Sequence, residues 1–166
     1  AAWEERLQLE RATGDAQFTT ISLTNLIDAL FAEGKVAEAI LRGRELVALI
    51  RSQRYANWES FALANLSAAL TVADQLEEAL QLAREATPML RQQGSIWSFL
   101  DHFALLAFKR GHHAAAARVL GCAEERNRQS GYVRELNELR ARDTVWQLLV
   151  AELKAAELQR LLDEGS

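Results

Sequence analysis

Leu63-Ala64-Asn65-Leu66-Ser67-Ala68-Ala69-Leu70-Thr71-Val72-Ala73-Asp74-Gln75-Leu76-Glu77-Glu78-Ala79-Leu80 carries two helical patterns on either side of a turn. Leu63, Leu66 and Leu70 recur at three- and four-residue steps, which puts them on one stripe of a helix. Leu76, Ala79, Leu80, Ala83 and Ala86 form a second stripe. The small side chain of Ala79 lets the two helices approach closely. Asp74, with Glu77 three residues on, reads as an N-cap with a capping box.

The same unit stands on both sides. Upstream, Leu23, Leu26, Ile27, Leu30 and Phe31 precede Gly34, and Val36, Ala39, Ile40, Gly43, Leu46, Val47 and Ile50 follow it. Downstream, Phe103, Leu106 and Ala107 precede Gly111, and Ala116, Val119, Leu120 and Ala123 follow it. Three markers share one register. Asn25-Leu26, Asn65-Leu66 and His102-Phe103 are 40 and 37 residues apart. Gly34, Asp74 and Gly111 each stand five residues before an alanine: Ala39, Ala79 and Ala116. Turns near positions 14, 54, 94 and 131 repeat the 40, 40 and 37 spacing. The spacing predicts an all-α array of about three 37–40-residue helix pairs over residues 1–131, with a leading half repeat. Residues 132–166 contain Leu136, Leu139, Trp146, Leu149, Val150, Leu153, Leu158, Leu161 and Leu162 at helical spacing. They predict a helix over about 133–150 and another to about 163, capping the core of the same domain.

Composition agrees. Of 166 residues, 29 are Ala and 27 are Leu, with 8 Gly and 1 Pro, too few turn formers for a sandwich or barrel. A 49 % hydrophobic content with a net charge of -4 excludes extended disorder. A pI near 5.5 argues against a direct nucleic-acid surface. No apolar run approaches the length of a membrane span, no signal peptide is seen, and the single Cys fits a reducing compartment, so a cytoplasmic location is expected.

The run Leu26, Ile27, Leu30, Gly34, Ala39 resembles the tetratricopeptide repeat. So do Leu66, Ser67, Leu70, Asp74, Ala79 and Phe103, Ala104, Ala107, Gly111, Ala116. The resemblance implies a right-handed superhelical array with the first helix of each pair lining the inner face. The period is 40 rather than 34, so longer helices are expected. The run Gly111-His112-His113-Ala114-Ala115-Ala116-Ala117-Arg118-Val119-Leu120-Gly121-Cys122-Ala123-Glu124 is similar to the C-terminal repeat region of bacterial STAND-type ATPase regulators with winged-helix or LuxR-type domains. The ending Glu157-Leu158-Gln159-Arg160-Leu161-Leu162-Asp163-Glu164-Gly165 shares that likeness. Trp3 to Leu7, ahead of Gly14, look like the second helix of a preceding repeat. This likeness implies a sensor or scaffold part of a transcriptional regulator. No phosphate-binding glycine-rich run occurs.

Chemistry-bearing residues are sparse. His102, His112 and His113 form no metal pair, because neighbours in sequence diverge on a helix. Cys122 reads as a small buried thiol. No nucleophile, base and orienting group assemble, so no catalysis, metal or cofactor is expected. The repeat's inner positions map to Ile21, Thr24, Asn25, Asp28 and Phe31. They map next to Phe61, Ala64, Asn65, Ala68 and Thr71, then to Ser98, Asp101, His102, Leu105 and Phe108. The candidate ligand-binding residues are therefore Asn25, Asp28, Phe61, Asn65, Asp101, His102 and Leu105. An amide offers both a donor and an acceptor to a ligand. Trp58 and Trp97 stand before first helices, as staples or as a groove rim. Pro88 is expected to kink its helix or end it near Thr87. The sequence points to a binding module for a protein, a peptide or a small effector. The rival reading is a passive scaffold or a homodimerisation surface.

Overall fold

The computed structural model describes residues 16–53 and 56–166, together with Glu5 and Gln8. The expected leading half repeat and the turn at Arg54 lie outside the described residues. Eight α-helices follow one another among them: α1 Ala16–Ala32, α2 Val36–Gln53, α3 Ala56–Val72, α4 Leu76–Gln92, α5 Leu100–Lys109, α6 His113–Ser130, α7 Leu136–Glu152 and α8 Ala155–Gly165. A 3-10 turn, Ile96–Phe99, precedes α5. The described residues contain no strand, so the all-α class holds.

Helices within each pair are joined by the same turn chemistry. Gly34 and Gly111 have φ of +78° and +81°, in the left-handed region that favours glycine. The amide of Lys35 donates to the Leu30 carbonyl at 2.9 Å, and that of Gly34 donates to Phe31 at 3.0 Å. This is the Schellman closure of a helix C-terminus. Asp74 does the same in the second pair. Its φ is 58°, its amide donates to Thr71 and that of Gln75 to Leu70. The expected capping box at Asp74 is therefore overturned. Gln75 is the N-cap of α4 and makes no side-chain cap. The carboxylate of Asp74 instead accepts from Lys109 Nζ at 2.7 Å. The alanines after these turns are sealed: Ala39, Ala79 and Ala116 are each 0 % exposed. At the second pair the approach is close enough for the Ser67 hydroxyl to donate to the Ala79 carbonyl at 2.8 Å.

From α1 to α4 each helix packs on the next along its length. Their shared core runs from Leu23 and Leu46 to Leu63, Leu70 and Leu90, and ends on Phe99 and Leu106. Beyond α4 the pattern changes. α5 touches α4 only slightly and packs instead on α6 and α7, while α8 packs on α6. These four helices enclose a second core of Leu105, Ala117, Leu120, Val145, Leu149 and Leu161. α5 supplies both cores, Leu106 to the first and Leu105 to the second. α7 then reaches back to α1.

The helix does not end near Thr87, one of the two outcomes expected of Pro88, and Cys122 is not buried. Pro88 lies inside α4, which continues to Gln92. The ring faces solvent beside the exposed Arg84, whose carbonyl water can satisfy. Cys122 is exposed. The buried small residue is its neighbour Gly121, whose backbone lies against the Leu162 carbonyl of α8. The break between the last two helices falls at Leu153 and Lys154, both extended. No helix among the described residues is long and apolar enough to cross a membrane.

Candidate functional site

On α1 and α3 the apolar stripe is committed to the core, and a neighbouring face of each borders a cavity. On α1 that face carries Thr24, Asp28 and Phe31; on α3 it carries Trp58, Phe61 and Asn65; Ser98 and His102 come from the start of the third unit. Residues Tyr132 to Glu138, where the chain enters α7, lie across them. The result is a cavity of about 250 Å³, completed by Ile27, Phe99, Tyr132, Glu135, Asn137 and Glu138.

The roof is fixed by its own hydrogen bonds. Glu135 and Glu138 form a capping box at the start of α7, with the Glu135 amide donating to Glu138 Oε2 at 2.9 Å. The Tyr132 hydroxyl donates to the same carboxylate at 3.0 Å. Burial and that contact push the phenol up to about 12. The roof is tied to α1 by Asn137, whose amide donates to the Asp28 carbonyl at 3.3 Å. Arg140 donates to the Ala32 carbonyl at 2.5 Å. That carbonyl ends α1 and has no helical partner.

Three polar groups on the wall have no hydrogen-bond or ion-pair partner among the described residues: the Asp28 carboxyl, the Asn65 amide and the His102 imidazole. His102 is only 7 % exposed, with its ring among Phe31 and Phe99 at 6.3 and 6.4 Å between centroids. Burial lowers it to about 4, so the ring is neutral at pH 7. Asp28 is raised to about 6, first by burial and then by Glu135 and Glu138. A polar group without a protein partner has to be met by water or by a ligand. His102 is buried and Asp28 and Asn65 are half-buried, and all three border the cavity.

Four of the seven sequence candidates meet here: Asp28, Phe61, Asn65 and His102. The other three do not line the cavity. Asn25 is half-buried to one side of it, and on α1 the equivalent polar role falls to Asp28. Leu105 belongs to the second core. Asp101 is clamped by Arg134, which donates from Nε to Oδ2 at 2.6 Å and from Nη2 to Oδ1 at 3.1 Å. Burial raises the Asp101 carboxyl and the Arg134 contact opposes the rise. Trp58, 43 % exposed, takes the rim role. Trp97 takes the staple role, donating to the Gly94 carbonyl at 2.8 Å and meeting Tyr132 edge-on at 4.9 Å. His113 stacks on Phe108 at 4.4 Å. The roof residues Tyr132, Glu135, Asn137 and Glu138 were missed, since the sequence showed that segment only as a cap. Glu135 with Glu138 three residues on was the available signal of a helix start.

Among the described residues no group of three or more His, Cys, Asp or Glu side chains is placed to hold a metal ion. Compared with known proteins, the chain matches no family model, no curated protein and no solved structure.

Proposed function

We propose that this chain is a non-catalytic binding module that holds a small effector, or a single side chain of a partner, in the cavity under the start of α7. The observation that carries this reading is the set of unpartnered groups Asp28, Asn65 and His102 on one cavity wall. About 250 Å³ is below the range of drug-sized pockets, so an extended peptide lying across the helices fits less well than a compact ligand. The antiparallel pairs, the shared turn and the alanine five residues later support a tetratricopeptide-like arrangement. With the sequence likeness to regulator repeats, they support a sensor role within a bacterial regulator. A ligand bridging α1, α3 and α7 would favour the closed array, and the attached parts would read that bias.

The test is a fragment screen followed by nuclear magnetic resonance of the side-chain amides. Ligands that shift Asn65, and lose about tenfold or more in affinity in Asn65→Ala, support the reading. Fragments that bind only elsewhere overturn it. One observation favours the rival scaffold reading: Val133, ahead of α7, and Leu136 and Leu139 in its first turn are 82, 50 and 44 % exposed. A concentration-dependent dimer abolished by Leu136→Lys would favour that surface.

A further inference from the structure

We infer that the ligand of this cavity carries a primary ammonium group on a short aliphatic stem. The inference rests on the reading of the cavity as a binding site and adds the chemistry of its occupant. Three carboxylates border the cavity, Asp28 from α1 and Glu135 and Glu138 from the roof, and no Lys or Arg does. Glu138 is occupied by the Glu135 amide and by Tyr132, whereas Asp28 has no partner. The acidic groups do not stand alone. His102, more than nine-tenths buried, lines the same cavity with no partner, and its neutral ring presents an acceptor nitrogen. The Asn65 carbonyl is a further free acceptor. A primary ammonium has three N–H donors and no acceptor, which answers a carboxylate, an imidazole nitrogen and an amide oxygen together. The aromatic faces of Phe31, Phe61 and Trp58 suit a cation and the methylenes that carry it. A carboxylate or phosphate ligand would meet only like charge.

Charge linkage agrees with this geometry. Asp28 is faced by Glu135 and Glu138 from α7, by Tyr132 before it and by His102 from α5. Arg134 is committed to Asp101, and Arg140 to the Ala32 carbonyl. α3 presents only neutral groups to the cavity. Asp28 thus holds its proton up to about pH 6 in the empty cavity. A bound ammonium would favour its ionised form, so affinity falls as pH is lowered through 6.

The experiment compares pentylammonium, 1-pentanol and pentanoate, of matched size, by the shift of the Asn65 side-chain amide. Pentylammonium is expected to bind about tenfold or more tightly than the other two at pH 8. It should lose that preference in Asp28→Asn, whose folding is checked by thermal melting, and should weaken from pH 8 to pH 5. Nα-acetyl-lysine methylamide separates the two sources of such a group. Equal or tighter binding assigns it to a partner's lysine, and weaker binding to a free amine. If pentanol or pentanoate binds at Asn65 as well as pentylammonium, the ammonium inference is overturned and the binding-site reading stands. If none of the probes shifts Asn65, both are overturned.

Discussion

The two halves of the molecule differ in how their helices are paired and joined. From α1 to α4 successive helices share one apolar core, and the ion pair that joins α2 to α4 is exposed. Arg44 and Glu78, joined at 2.7 Å, are 50 and 42 % exposed. From α5 to α8 a second apolar core is joined by a buried ion pair and by close backbone contact. Arg134 and Asp101 are 13 and 6 % exposed at 2.6 Å, and Gly121 and Gly165 admit the facing backbone of α8 and α6. The Gly-turn and buried alanine fix how two helices of one pair meet. They do not fix how one pair meets the next. That depends on the connection, and Ile96–Phe99 inserts a 3-10 turn before a helix of only ten residues. The packing therefore changes partners at the third pair, and α7 reaches back to α1.

The sharpest way to break the comparison is to remove one charge from each half. Arg134→Ala leaves the buried Asp101 without its cation and should cost about 3–5 kcal/mol in urea unfolding. Arg44→Ala should cost about 1 kcal/mol or less. Equal small losses would show that Asp101 simply takes up a proton and that the second half is not fastened there. Glycines give the next contrast. A Cβ at Gly121 would overlap the Leu162 carbonyl, which belongs to backbone and cannot swing away. At Gly43 it would meet Leu66 Cδ1 at 3.0 Å, the far end of a flexible side chain. Gly121→Ala should destabilise by about 3 kcal/mol, whereas Gly43→Ala should change stability by less than about 1 kcal/mol. The reverse order would place the tight contact in the wrong half.

The same contrast explains what the sequence made legible. Helical periodicity and the Gly–Ala register are local, so the helix pairs and the cavity-lining faces of α1 and α3 could be read from them. That reading reached Asp28, Phe61, Asn65 and His102. Asp74 was misread because aspartate suits both an N-cap and a left-handed position. Its alignment with Gly34 and Gly111 carried the correct answer. Asp101 was misread because its partner Arg134 is 33 residues away. The roof was invisible for the same reason: Asn137 meets Asp28 across 109 residues, and no local pattern encodes that.

Acidity should separate the cavity groups from the rest of the fold. Asp28 has a folded value near 6 against 3.8 for the free group. Its protonated form favours the fold, so its contribution is present below about 4 and lost as pH rises through 6. His102 has a folded value near 4 against 6.5. Its neutral form favours the fold, so its contribution is present above 6.5 and lost as pH falls towards 4. The two oppose each other across pH 4–6 and flatten the stability profile. Asp28→Asn should stabilise the protein by about 2 kcal/mol at pH 7. The gain should vanish at pH 4, where the variant falls off more steeply than the parent. An unchanged pH profile in the variant would mean that the Asp28 carboxyl is solvated.

The smallest expected effect tests whether closure is part of the fold or a latch on it. Asn137 and Arg140 bond to two carbonyls of the last turns of α1. Both bonds are to backbone, both side chains reach in from one helix, and Arg140 itself is exposed. The apolar contacts of α7 lie elsewhere, through Ala141, Val145 and Leu149 in the second core. Removing both bonds therefore leaves the seat of α7 on α5 intact. Asn137→Ala with Arg140→Ala should cost about 1 kcal/mol or less in global unfolding. Amide exchange should nonetheless quicken in the first turn of α7, because that turn would lose its hold on α1 while the rest of the helix kept its core. A loss of several kcal/mol would instead make the contact of α7 with α1 a structural keystone. The cavity would then be fixed by folding rather than open to control by what it binds.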